Sequence, residues 1–215
     1  MNKPIIKRRG GPRTFDRDSA VETAMTLFWR HGYEGVSISD LTDAIGVAPP
    51  SLYAAFGSKA GLYREALDRY ATLPGALVGL GQAESLDMAV QGLLRAAVDG
   101  IVDPGLERGC MVSTGLLECA VEHGGLARDL AARRRAVRDA VAEALSRWLD
   151  PPKAEALAGY LCVVLQGLSV QARDGGSRED LEEMAGEAMA GIRARRLGTH
   201  RSGSGGGQNP SAAPH

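Results

Sequence analysis

The stretch that most constrains this chain is residues 37–59, SISDLTDAIGVAPPSLYAAFGSK. Ser37 and Asp40 stand three apart, the spacing at which a hydroxyl accepts from the Asp40 backbone N–H while the carboxylate reaches back, so a helix is expected to begin at Ile38. Ile38, Leu41, Thr42 and Ile45 recur at helical spacing, and Gly46 falls where a left-handed closing residue is wanted. Val47 can plug the gap that follows. Pro49 and Pro50 fit only the first turn of a second helix, where a missing N–H costs nothing. Leu52, Phe56 and Ala55 then face inward, leaving Pro49, Pro50, Ser51, Tyr53 and Ala54 outward, and Gly57-Ser58 ends this helix and caps a third. Two short helices crossing at a glycine-containing turn make a helix-turn-helix.

Residues 17–70 resemble the DNA-binding domain of the TetR/AcrR family of transcriptional regulators. The resemblance rests on a first helix ending FWRHGYEGVSISDL, the turn AIGVAPPSLYAAF and the GSK that opens a fourth helix; the variant with GGPRTFDRD and PPSLYAAFGSK looks closest to a branch often found in bacteria. It implies an all-α fold, with an N-terminal helix-turn-helix three-helix domain and a C-terminal helical dimerisation and ligand domain. It further implies a homodimer on a near-palindromic double-stranded DNA operator, more often a repressor, whose reading-head spacing is shifted by a small-molecule effector. No catalysis and no cofactor are expected. By the same resemblance Ser51 and Tyr53 touch phosphates and Lys59 does so from the start of the fourth helix; Ser37, Pro49, Pro50 and Ala54 complete the expected DNA face. Ala48-Pro49-Pro50 departs from commoner members by leaving few long polar side chains on the reading helix. Base reading is therefore expected to use main chain, apolar contacts and DNA shape.

Charge distribution agrees with a DNA-binding end. The chain of 215 residues carries a net charge of −1, yet residues 1–17 hold six basic side chains against one acidic. A basic terminus is ordinarily a solvated tail. Beside a helix-turn-helix it reads better as an arm that follows phosphates or enters a minor groove, with Arg8, Arg9 and Arg13 as its contacts. Residues 1–70 are thus read as the DNA-binding domain with its basic arm, 71–197 as a helical domain for dimerisation and effector binding, and 198–215 as a disordered low-complexity tail. No uninterrupted apolar run approaches the roughly 18 residues of a membrane span, and no apolar segment follows the basic N-terminus, so a cytoplasmic protein with no membrane partner is expected.

Helical spacing continues beyond the head. Helices are expected over 16–33, from 58 towards 80 with an early end or bend at Pro74-Gly75, and over 84–102, 108–121, 126–149, 154–173 and 177–195. The segment GYLCVVLQGLSVQA is apolar nearly all round, which calls for cover on every side, and a twofold partner can supply part of it. With the helix that follows it would make a four-helix dimer interface through Leu157, Leu161, Val164, Leu168, Leu181, Met184 and Ala188; the alternative is a core pair within one chain. Met88, Leu94, Val98, Met111, Leu117 and Leu165 could line an effector pocket, although such a stripe is more often plain core. Four arginines at 133–135 and 138 could form a second nucleic-acid patch but read better as a solvated helix face.

Chemistry is sparse. Cys119 and His123, four apart on an expected helix and flanked by Glu118 and Glu122, could pair as nucleophile and base or as half of a metal site. A second function class is therefore a thiol- or metal-responsive sensor using Cys110, Cys119, His123 and Cys162, and a third is a helical interaction protein. No oxyanion hole, no second ligand pair and no phosphate loop accompanies them, so no metal site is assigned.

Overall fold

The computed structural model describes residues 16–201, and their side chains as far as residue 195. Among the described residues there are nine α-helices and no strand, and the chain divides into two compact units between Leu73 and Pro74.

The first unit holds α1 (Arg17–His31), α2 (Ile38–Ile45), α3 (Pro49–Phe56) and α4 (Lys59–Tyr70). Each helix begins where a local signal puts it. The Asp16 carboxylate accepts from the N–H of Asp18 and Ser19, and the Ser37–Asp40 capping box is formed in both directions. Gly46 closes α2 at φ 78°, a left-handed conformation that costs glycine little. Pro49 and Pro50 occupy the first positions of α3, and the Ser58 hydroxyl accepts from the Gly61 N–H to open α4. α1 and α4 pack along their length around Phe28, Tyr33 and Tyr63, whose rings lie 4.9 to 6.0 Å apart; Trp29 meets Tyr70 edge-on at 4.8 Å. Phe28 and Trp29 are therefore core, and the reading helix hangs from it by fully enclosed Leu52 and by Phe56.

The corner between α3 and α4 is tight. A Cβ on Gly61 would lie 2.1 Å from the Phe56 carbonyl oxygen, which is backbone and cannot swing aside. Gly61→Ala is expected to force this corner open and lower stability by about 2 kcal/mol, within the usual upper range for a single strained substitution. Thermal melting checks it; an unchanged midpoint would mean that the corner has slack.

The second unit contains α5 (Leu86–Ile101), α6 (Met111–Thr114), α7 (Gly124–Leu145), α8 (Pro151–Arg173) and α9 (Arg178–Arg201), with 3-10 turns at Leu80–Gln82 and Val121–His123. α8 is central, packing on α5, α6, α7 and α9. Its own side chains Ala158, Leu161, Leu168 and Ala172 join Leu93, Leu94 and Val98 of α5 and Leu181 of α9 in one apolar core.

Several expectations from the sequence are corrected. α4 ends at Tyr70, so the helix from residue 58 takes the early end and does not reach residue 80. Residues 108–121 are not a central helix: α6 has four residues, and an irregular path follows it. Contacts distant in sequence hold this path. The Cys110 N–H donates to the buried Ser169 hydroxyl at 2.7 Å, Arg108 Nε donates to the Ala172 carbonyl at 2.7 Å, and Arg134 donates to the carbonyls of Val112 and Gly115 at 2.9 and 3.0 Å. Gly109 and Leu116 adopt positive φ, which no continuous helix allows. Arg134 accordingly leaves the solvated arginine face and serves as a strut. α7 ends at Leu145, short of the expected residue 149, and Pro151-Pro152 opens α8, which begins three residues before the expected 154. α9 runs to Arg201, past Gly198 where the tail was expected to begin.

Candidate nucleic-acid interface

The head presents a continuous outward face. Ser37, Pro49, Pro50, Ser51 and Ala54 are exposed, as is Tyr53 at 46%. On α3 the inward positions Leu52 and Phe56 lie four apart on one side, so Tyr53 and Ala54 turn to solvent while Ala55 is half-buried, as expected of an inward-leaning residue. Arg8, Arg9 and Arg13 lie outside the described residues.

Lys59 differs from these. As the first residue of α4 it is half-buried, its Nζ 4.2 Å from the centroid of the Tyr33 ring. Burial lowers its pKa, while Glu34 and Asp40 pull the other way. The ammonium is thus held by an aromatic face beside the opening turn of a helix, whose N–H groups also favour an anion. Such a preset cation suits a phosphate better than a solvated lysine does.

Arg17 is a participant that sequence reasoning missed, counting it only among the basic charges near the terminus. Its guanidinium lies 4.5 Å from the centroid of the Phe56 ring, donates to the Ala55 carbonyl at 3.3 Å and pairs with Glu65 at 2.6 Å. It clamps the end of the reading helix to α1 and α4. No local signal reveals this, because Glu65 and Ala55 are about forty to fifty residues away in sequence.

Capping carboxylates contribute a pH dependence. Hydrogen bonds from Ser37 hold the Asp40 carboxyl below its ordinary pKa, and Lys153 and Ser177 do the same for Asp150 and Asp180. A group whose folded pKa is depressed contributes stability that is present above the ordinary carboxylate value of about 4 and is lost as pH falls through the folded value. Asp40→Ala is therefore expected to lower the melting temperature at pH 6, the gap to the parent closing towards pH 3; a constant gap would refute the role of its charge.

The other expected sites fare unevenly. Of the dimer residues, Leu161, Leu168, Leu181 and Ala188 are buried in the chain's own core and have no surface left for a partner; Leu157 and Val164 are half-buried and Met184 is exposed. The open apolar stripe of α8 runs instead through Ala156, Tyr160, Val163, Gly167 and Val170. Periodicity marked the helix as apolar all round, without saying which side its own chain covers. By length and composition α8 alone among the described helices could cross a membrane; its Leu161–Leu168 side is instead packed into the core.

The six residues expected to line a pocket do not converge. Leu94 and Val98 border a groove between α5 and α9, Met111 is enclosed, Leu165 is half-buried against the core, and Met88 and Leu117 face solvent. Cys119 and His123 share no helix, since Cys119 lies on the irregular path and His123 ends a 3-10 turn. Among the described residues no group of three or more His, Cys, Asp or Glu side chains could hold a metal ion. Burial raises the Cys162 pKa, which works against a reactive thiolate.

A capped helix-turn-helix with an exposed second helix, braced by α1 and α4, defines a DNA-binding module. The family model for bacterial regulatory proteins of the tetR family matches residues 20–66. Over nearly the whole chain, the protein is similar to two Escherichia coli (strain K12) proteins. It is 33% identical over 194 residues to the HTH-type transcriptional repressor ComR, covering 86% of this chain and 92% of that one. It is 35% identical over 190 residues to the repressor BdcR, covering 85% and 93%. The structure of a cysteine-substituted TetR family regulator, CifR, complexed with a 26-bp double-strand operator is 39% identical with a TM-score of 0.78, over 84% of this chain and 98% of that one. The chain belongs to the TetR family of transcriptional regulators.

Proposed function

We propose that this protein is a repressor that binds a near-palindromic operator as a homodimer in the cytoplasm and is released by a small-molecule effector. Residues 1–70 read the DNA, and residues 71–197 dimerise and sense. The observation that carries the reading is the exposed face of α3 with Lys59 set beside it, in a chain 39% identical to a regulator whose structure includes its operator. Repression is favoured because the two E. coli relatives similar along most of their length are both named repressors.

In this reading Ser37, Ser51, Tyr53 and Lys59 meet phosphates, Pro49, Pro50 and Ala54 offer apolar contact and shape in the major groove, and Arg8, Arg9 and Arg13 follow the backbone. Dimerisation uses the open stripe of α8 together with Met184 of α9. The open apolar stripe of α8, with exposed Met184 on α9, which packs against α8, matches a helical interface between two copies.

The test is fluorescence anisotropy with purified protein and duplex DNA from upstream of its own gene, at two salt concentrations. Nanomolar binding that outcompetes random DNA is expected, with affinity falling steeply as salt rises. Equal affinity for both DNAs at either salt would reject a specific operator there.

A further inference from the structure

The second unit carries a groove that the dimer reading leaves unused. It lies between α5 and α9 and has a volume of about 390 Å³, at the small end of the range for ligand sites. Its floor is apolar, made by Leu94, Val98 and Met189, all nearly enclosed. Its rim is charged, and the charges are not equal. Arg193 pairs with Asp87 at 3.0 Å, and Glu182 lies 3.6 Å from Arg178. Arg95, exposed on the rim, has no ion-pair or hydrogen-bond partner among the described residues. One uncompensated guanidinium thus stands over an apolar floor.

Gly186 is the second observation. It sits inside α9, where glycine costs about 1 kcal/mol relative to alanine, and an added Cβ there would meet nothing within 4 Å. Its missing side chain keeps the groove open and accommodates no close neighbour. The groove also stays clear of the dimer stripe: Gly186 is two residues from Met184, hence about 200° around the helix from it.

We propose that this groove binds an amphipathic monoanion, its apolar body on Leu94, Val98 and Met189 and its carboxylate on Arg95. A guanidinium matches a carboxylate with two parallel hydrogen bonds. A more highly charged head is disfavoured because Glu182 on the same rim repels a second negative charge. That such a ligand is the effector rests on the regulator reading; the site itself rests on the groove.

The test uses decanoate, decanol and inorganic phosphate as probes of the full-length protein in isothermal titration calorimetry. Decanoate is expected to bind at least tenfold more tightly than decanol, and phosphate not measurably. Arg95→Gln, an exposed change with similar helix propensity, should remove that tenfold preference and spare decanol. Gly186→Val should fill the groove and weaken both, with the melting temperature confirming an intact fold. Decanoate binding no better than decanol, or unchanged in both variants, would overturn the proposal. Because calorimetry reads this site and anisotropy reads operator binding, the protein could bind its operator while the groove fails, or the reverse.

Discussion

Lys59→Ala should weaken operator binding by on the order of 100-fold or more while leaving the head folded. A hydrogen bond from a charged donor contributes about 1.5–3 kcal/mol, and the proposed homodimer would make it twice, so at least about 3 kcal/mol is at stake. The lysine is already half-buried over Tyr33, and part of its desolvation cost is therefore met before DNA arrives. Folding loses less, because a cation–π contact contributes about 0.5–2 kcal/mol, depending on how far the site is desolvated. The variant should also flatten the salt dependence: two phosphate contacts fewer per dimer reduce the slope of log K against log salt by about 1.8. Adding Tyr53→Phe, which removes only an exposed hydroxyl, should give a smaller further loss. Anisotropy titrations at four salt concentrations check both quantities. Retained affinity with an unchanged slope would move the phosphate contact elsewhere, to the basic arm or to the free N–H groups opening α4.

The parts of this fold legible from sequence are those whose causes are local. Ser37 with Asp40, Gly46, Pro49-Pro50 and Ser58 each act within four residues, and α2, α3 and α4 start or stop where they stand. Residues 108–121 were not legible, since their path is set by Arg134 from α7 and by Ser169 and Ala172 from α8. An apolar segment of that length looks helical until those partners are known. The same limit governs the site. Outward positions on α3 follow from helical spacing, whereas the clamp by Arg17 and the seat of Lys59 over Tyr33 depend on how α1 meets α4. For α8, composition calls for full cover, yet only packing reveals that Leu161 faces the core and Val163 does not.

That division of α8 yields the second large effect. Val163 is 67% exposed within its own chain, so Val163→Glu should cost an isolated chain little. In a dimer built on the stripe from Ala156 to Val170, the same change places two like charges in an apolar seam, where each unpaired buried charge costs several kcal/mol. The protein should then elute as a monomer in size-exclusion chromatography with light scattering, with its helical circular dichroism kept. Operator affinity should fall with dimerisation, because a single head holds only one half-site. Leu161→Ala separates the two sides of the helix. It empties space in the core and should lower stability by about 2–5 kcal/mol while leaving the dimer stripe intact. Ala136→Glu, on an exposed position of α7, controls for added charge and should do neither. A Val163→Glu protein that remains dimeric would place the partner's surface elsewhere, and the open face of α8 would then need another occupant.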